Sequence, residues 1–126
     1  MLIDTDVLIW YMRGNQKAFK LIENLNGFFI SVVTYIELLQ GMRNKGELIE
    51  FRKALRNWNC KIIHINEEIS AKAMFYIERH YLSHSLELAD ALVAITSLVN
   101  GLTMITGNDK HFKIINELEI KRFRPN

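Results

Sequence analysis

The strongest constraint on this chain is an alternation of short apolar runs with longer stretches of helical periodicity. Leu2-Ile3, FFISVV at 28–33, CKIIHI at 60–65 and LTMIT at 102–106 read as strands, too short for buried helices and rich in β-branched or aromatic residues. Helices are expected at 6–12, 15–25, 34–43, 47–58, 66–81, 86–100 and 110–118, with a short final edge strand at 120–123. Leu48, Phe51, Leu55 and Trp58 recur three and four apart, one stripe of an amphipathic helix. Phe19, Ile22 and Leu25 repeat the pattern, as do Leu88, Leu92, Ile95 and Val99. Gly14, Gly27, the Asn44-Lys45-Gly46 turn, a break at His84-Ser85 and Gly101 mark the stops, and Asn66 is placed to cap the helix that carries Glu67 and Glu68 in its first turn. Strands alternating with helices imply right-handed βαβ units. The expected fold class is therefore α/β, with three α/β/α layers around a central, mainly parallel sheet of four to five strands. Pro125 is the only proline and no linker or repeat interrupts the pattern, so a single domain spanning 1–126 is expected.

Bulk properties remove several function classes. Hydrophobic residues make up 49% and charged residues 24%, as in ordinary globular proteins. No apolar run approaches the roughly 20 residues of a membrane span. The N-terminus runs into the first strand without the basic and apolar regions of a signal peptide. Cys60 is alone, which suits a reducing compartment, and it reads as a small core residue. A cytoplasmic protein is expected. The net charge is only +2, but six basic and two acidic residues fall between Arg43 and Lys61, and Lys121, Arg122 and Arg124 follow near the end. Such faces attract a phosphate backbone, although a solvated helix has the same composition.

The acids fall at particular points of the pattern. Asp4 follows the first strand directly, Glu37 opens the helix after the second, Asp90 stands near the start of the helix before the fourth, and Asn108 and Asp109 follow the fourth. In a parallel sheet the carboxyl ends of these strands share one edge, where ligands bind. Asp4, Glu37 and Asp90 are then expected to crowd together. Three carboxylates stay ionised at close range only with a compensating cation. Oxygen ligands without His or Cys suit Mg²⁺ or Mn²⁺.

Each residue also has a plainer reading. Thr34-Tyr35-Ile36-Glu37 is a T-x-x-E capping box, Asp90 a helix-start charge, and Asn108-Asp109 part of a turn. Asp4 is harder to explain structurally, because a buried unpaired carboxylate is costly. His80 and His84 have a zinc-like spacing, but it straddles a helix end with no third ligand nearby. Lys110 and His111 read as solvated residues.

Four blocks, LIDTDVLIW, ISVVTYIELLQG, LADALVAITSLVNGL and TMITGNDKHF, resemble the signature blocks of PIN-domain nucleases, and more narrowly the VapC toxins of toxin–antitoxin pairs. The blocks span nearly the whole chain, and their order and spacing carry the resemblance. Asp4, Glu37 and Asp90 match the three main acidic positions of that family. Thr106 and Asn108 match the polar pair after the fourth strand, and Ser31 and Thr34 the small hydroxyl positions before the second acid. The chain has Asp6 where the family more often has Asn, and Asn108 beside Asp109 at a position that varies between Asp and Asn. One metal or two is compatible with that pattern.

The resemblance implies an Mg²⁺-dependent endoribonuclease, with Mn²⁺ as a possible substitute, acting as the toxin of a type II VapBC system on tRNA or mRNA. It implies catalytic Asp4, Glu37, Asp90 and Asn108, with Asp4 and Asp90 as metal ligands. Thr5, Asp6, Ser31, Thr34, Thr106 and Asp109 are expected to support them. It also implies a VapB-type antitoxin partner, with Trp10, Tyr11 and Met12 as candidate contacts, and a homodimer. Two other readings compete. Asp4-Thr5-Asp6 also fits the D-x-D pair of haloacid-dehalogenase-like phosphatases, with Asp4 as nucleophile and Asp6 as general acid, and Val7 follows it. The chain is short for that family, its catalytic Lys is not evident and Asp90 has no role in it. A non-catalytic PIN-like module binding RNA or protein is the third reading, against which the three intact acids stand.

Overall fold

A computed structural model of the protein describes residues 1–84 and 86–126. The elements run β1 (Leu2–Ile3), α1 (Thr5–Met12), α2 (Gln16–Asn24), β2 (Phe28–Ser31), α3 (Val32–Gln40), α4 (Lys45–Asn57), β3 (Cys60–Ile63), α5 (Glu67–His80), α6 (Leu88–Val99), β4 (Met104–Thr106), a 3-10 helix (Asp109–Phe112) and β5 (Ile120–Arg122). The strands form one sheet in the order β3-β2-β1-β4-β5, and every pairing is parallel. β1 is central, so the carboxyl ends of β1, β2 and β4 lie side by side.

Both sheet faces are covered, and the pleat divides the strand residues between them. Ile3, Phe28, Ile30 and Ile105 face one core with Val7 and Leu8 of α1, Ile22 of α2 and Phe51 and Leu55 of α4. Leu2 and Met104 face the other with Ile69 and Ala73 of α5, Ala91, Ala94 and Ile95 of α6 and Phe112. This is the expected α/β/α arrangement. Register is strongly fixed, because a slip of one residue would exchange the two cores. β1 is only two residues long, and both are fully buried.

Several boundaries differ from expectation for local reasons. The second strand stops at Ser31, whose hydroxyl accepts from Val33 N at 3.1 Å and caps α3. Val32 and Val33 are therefore helical despite their β-branching. Asn44, read as a turn residue, caps α4 by accepting from Glu47 N at 3.0 Å. The helix expected at 110–118 is a 3-10 helix followed by turns. Its apolar residues, Phe112, Ile115 and Leu118, are spaced by three and buried, and amides at 115 and 118 close i→i+3 turns on them. Leu88 and Phe19, expected on buried stripes, are 66% and 50% exposed. α6 buries the small Ala91 and Ala94 instead, and α2 buries Ala18. Asn66 caps α5 as expected, through Ile69 N at 2.9 Å. The break at His84-Ser85 includes Ser85, which lies outside the described residues. No helix among the described residues is long and apolar enough to cross a membrane.

Candidate active site

The turn from β1 into α1 builds the centre. Asp4 is the N-cap of α1, and its Oδ1 accepts from Thr5 N at 2.8 Å. A carboxylate is favoured at that place by the helix dipole. Its Oδ2 accepts from the Thr106 hydroxyl at 2.8 Å. Thr106 Oγ1 in turn accepts from Asn108 N at 3.0 Å, so its single proton is committed to Asp4. Asp4 is 6% exposed, and burial, followed by the neighbouring Asp6 charge, pushes its carboxyl up to about 7 against the two hydrogen bonds. Each Asp4 oxygen keeps a lone pair.

Asp6 lies two residues beyond Asp4, in α1's first turn. Its Oδ2 accepts from Gly107 N at 2.8 Å, while its buried Oδ1 has no partner. Burial raises this carboxyl as well, the Gly107 amide opposes that, and Asp90 adds to it. A Cβ at Gly107 would stand 2.7 Å from Asp6 Oδ2 and 3.3 Å from the Phe123 carbonyl, so a larger residue there would displace the Asp6 carboxylate.

A second hydroxyl chain orients Glu37. Thr5 Oγ1 donates to Glu37 Oε1 at 2.7 Å and lies 2.9 Å from Thr34 Oγ1. Thr5 has one proton and gives it to the carboxylate, so buried Thr34 is the donor to Thr5. This arrangement excludes the capping-box reading of Thr34 and Glu37. Ser31 is the cap, and Glu37 lies in the second turn of α3 with its carboxylate turned to α1. Asp90 is half-buried in the first turn of α6. Burial raises its carboxyl, the His111 charge lowers it, and Glu87 and Glu37 raise it further.

Asp4, Asp6 and Asp90 thus act on one another through their charges, and Glu37 acts on Asp90. The expected crowding is met only in this electrical sense. Among the described residues no three His, Cys, Asp or Glu side chains close around a point that holds an ion, and His80 with His84 is no exception. The donor set nevertheless fits a hard cation. It is all oxygen, Asp6 Oδ1 is buried and unsatisfied, and no cation is among the groups acting on Asp4. Mg²⁺ keeps several waters and takes one or two carboxylates rather than a closed protein cage.

The remaining expected residues divide. Ser31 serves the backbone of α3. Asn108 is exposed beside the centre and contributes its amide to Thr106. Asp109 points elsewhere and pairs with Arg124 Nη2 at 2.9 Å. Burial raises the Asp109 carboxyl, and the Arg124 guanidinium more than offsets that, leaving it below the ordinary range. Sequence reading missed Gly107, Arg124 and the His111 charge. Only the Gly-Asn-Asp turn gave a signal for Gly107. Cys60 is a half-buried strand residue whose thiol burial pushes up to about 12, so it stays protonated. Trp10 and Tyr11 are part-buried against the first core, and Met12 is exposed. Tyr11 and Met12 line a groove of about 630 Å³ with Met42, Phe51, Ala54 and Trp58.

Known proteins are similar to this chain in sequence and in fold. The sequence model described as "PIN domain" matches residues 1–118. "Ribonuclease VapC10" of Mycobacterium tuberculosis is 32% identical over 123 residues, covering 94% of this chain and 90% of that one. "Ribonuclease VapC1" of Methanocaldococcus jannaschii is 27% identical over 124 residues, covering 96% and 85%. Among solved structures, a toxin–antitoxin complex from Klebsiella pneumoniae superposes with a TM-score of 0.74 at 26% identity, covering 99% of this chain and 97% of that one. With the family match spanning nearly all of the fold and both hydroxyl-oriented carboxylates inside it, the chain belongs to the PIN-domain family.

Proposed function

We propose that the protein is a divalent-metal-dependent endoribonuclease and the toxin of a VapBC-type pair. The observation that carries this reading is the set of charge-coupled carboxylates at the carboxyl edge of a parallel sheet, with no cation among the groups acting on Asp4. Asp4 and Asp90 would hold Mg²⁺, or Mn²⁺ in its place, with Glu37 as a direct or water-mediated ligand and Asn108 at the outer edge. A bound ion there supplies charge neutralisation at a phosphate and a more acidic water for in-line attack. Thr106 holds the Asp4 carboxylate in one orientation, and Thr5, backed by Thr34, does the same for Glu37. Asp6 adds negative charge beside Asp4 and keeps Gly107 close. Asp109, engaged by Arg124, supports the loop and is not a ligand.

The phosphatase reading loses its general acid in this geometry. Asp6 Oδ2 is tied to the Gly107 amide and Oδ1 is buried, so Asp6 is poorly placed to protonate a leaving group. The family relatives named as ribonucleases point the same way. The partner would be a VapB-type antitoxin, and the apolar groove beside Tyr11 and Trp58 suits an apolar segment of it. Exposed Met74 and Leu88, beside a groove of about 430 Å³ between α5 and α6, offer a surface for a second copy and hence a homodimer. Action in the cytoplasm, where tRNA and mRNA are available, is part of the same reading.

The test is internal cleavage of RNA by the purified protein. Cleavage should stop in EDTA and return with Mg²⁺ or Mn²⁺, while a small aryl phosphate is left intact. Cleavage that persists in EDTA, or turnover of the aryl phosphate with the RNA untouched, contradicts the proposal.

A further inference from the structure

The Gly107–Asp109 loop is bonded on two sides. On the inner side, Gly107 N donates to Asp6 Oδ2 at 2.8 Å, and Asn108 N donates to Thr106 Oγ1 at 3.0 Å, which passes its own proton to Asp4. On the outer side, Arg124 Nη1 donates to the Gly107 carbonyl at 2.9 Å and to the Phe123 carbonyl at 3.1 Å, and Nη2 pairs with Asp109 at 2.9 Å. Phe123 N itself donates to the Thr106 carbonyl at 2.8 Å, so the backbone that carries Arg124 is locked to β4. One guanidinium therefore joins both ends of a three-residue loop to the strand ladder beside it. The planar fork of Arg suits such a multiple contact, and Lys, a point charge on a flexible stem, does not reproduce it. Arg124 lies beyond the residues that the family model matches.

We infer that Arg124 is a positioning residue for the candidate active site, holding the Gly107 and Asn108 amides in the places from which they orient Asp6 and, through Thr106, Asp4. Its role in catalysis rests on the nuclease reading above; its hold on the loop does not. The competing role for an exposed arginine near such a site is direct contact with an RNA phosphate. That role predicts weaker RNA binding and a shallower salt dependence when the charge is removed. A positioning role predicts loss in kcat with KM and salt dependence kept, because the altered groups are the oriented carboxylates.

The experiment compares wild type, Arg124→Gln, Arg124→Lys and Asp109→Asn. Amide hydrogen exchange is followed by NMR in EDTA without RNA, and RNA cleavage is then measured in Mg²⁺. In Arg124→Gln the Gly107 and Asn108 amides should exchange about tenfold faster or more, as expected when a local opening becomes easier. The Asp4 amide, held in the sheet by Ile105 O, should stay unchanged. Asp109→Asn should move the same two amides in the same direction, and Arg124→Lys should retain only part of their protection. Cleavage by Arg124→Gln should show kcat reduced about tenfold at unchanged KM. Unchanged exchange at both amides overturns the inference, and so does a raised KM with a shallower salt dependence and preserved kcat. If wild type cleaves no RNA, the nuclease reading fails, and the exchange data still decide whether Arg124 holds the loop.

Discussion

Thr106 is the residue through which the backbone sets the direction of Asp4. Its hydroxyl is fully buried, accepts from Asn108 N and donates to Asp4 Oδ2. Thr106→Val keeps the shape and removes both bonds. It should lower stability by about 1–3 kcal/mol, the cost of leaving buried polar groups unpaired, and reduce cleavage further than that loss accounts for. Thr106→Ser should restore both. Thermal melting beside single-turnover cleavage checks this, and a valine variant of full activity removes Thr106 from the site. Asp4 carries a second prediction. Its carboxyl is raised in the folded state from 3.8 to about 7. Stability from this group is therefore fully present below about pH 4 and is lost as pH rises through about 7, since the unfolded chain ionises first. Asp4→Asn lacks this dependence. The melting temperature of the variant relative to the parent should rise between pH 4 and pH 8, by an amount on the order of a few kcal/mol in stability at most. A difference that stays constant across that range means the carboxyl is not held up by burial.

At the scale of elements, α3 supplies the clearest test of how the acids are aimed. The helix starts at Val32, capped by fully buried Ser31, and this start places Glu37 on the face that meets Thr5. Ser31→Ala should lower stability by about 1 kcal/mol, a typical capping loss, which is roughly 4 °C in melting temperature for a domain of this size. An unchanged melting temperature would show that the helix starts elsewhere. The alternation of strands and helices was legible because it is a short-range pattern, and so were the caps at Asn66 and the stop at Gly14. The candidate set Asp4 and Glu37 was legible because a parallel sheet brings the carboxyl ends of its strands together, and Asp90 because it opens the helix that leads into β4. The role of the T-x-x-E segment was not, because Ser31 and Thr34 are both competent caps and only the tertiary contact to Thr5 decides between them. The 110–118 segment misled because apolar residues spaced by three fit a helix and a series of tight turns equally well. Gly107 against Asp6 spans 101 positions, and no local pattern encodes a contact of that range.

For the molecule as a whole, two cores on a five-strand parallel sheet give a rigid frame, and the four carboxylates on its edge act against the stability of that frame. Sites arranged for chemistry commonly have this property, and neutralising them commonly stabilises a protein while abolishing its activity. The measurement that bears most directly on the proposal is thermal melting in EDTA at pH 8 set beside RNA cleavage in Mg²⁺, for wild type, Asp4→Asn and Asp90→Asn. Both variants should melt at or above the wild-type temperature, because charge repulsion and burial of charge are relieved while shape is kept. Both should lose most cleavage. If both instead melt lower by more than about 1–2 kcal/mol, a common cost for disturbing a structural residue, and still cleave RNA, the acids belong to the scaffold and the proposed centre is wrong.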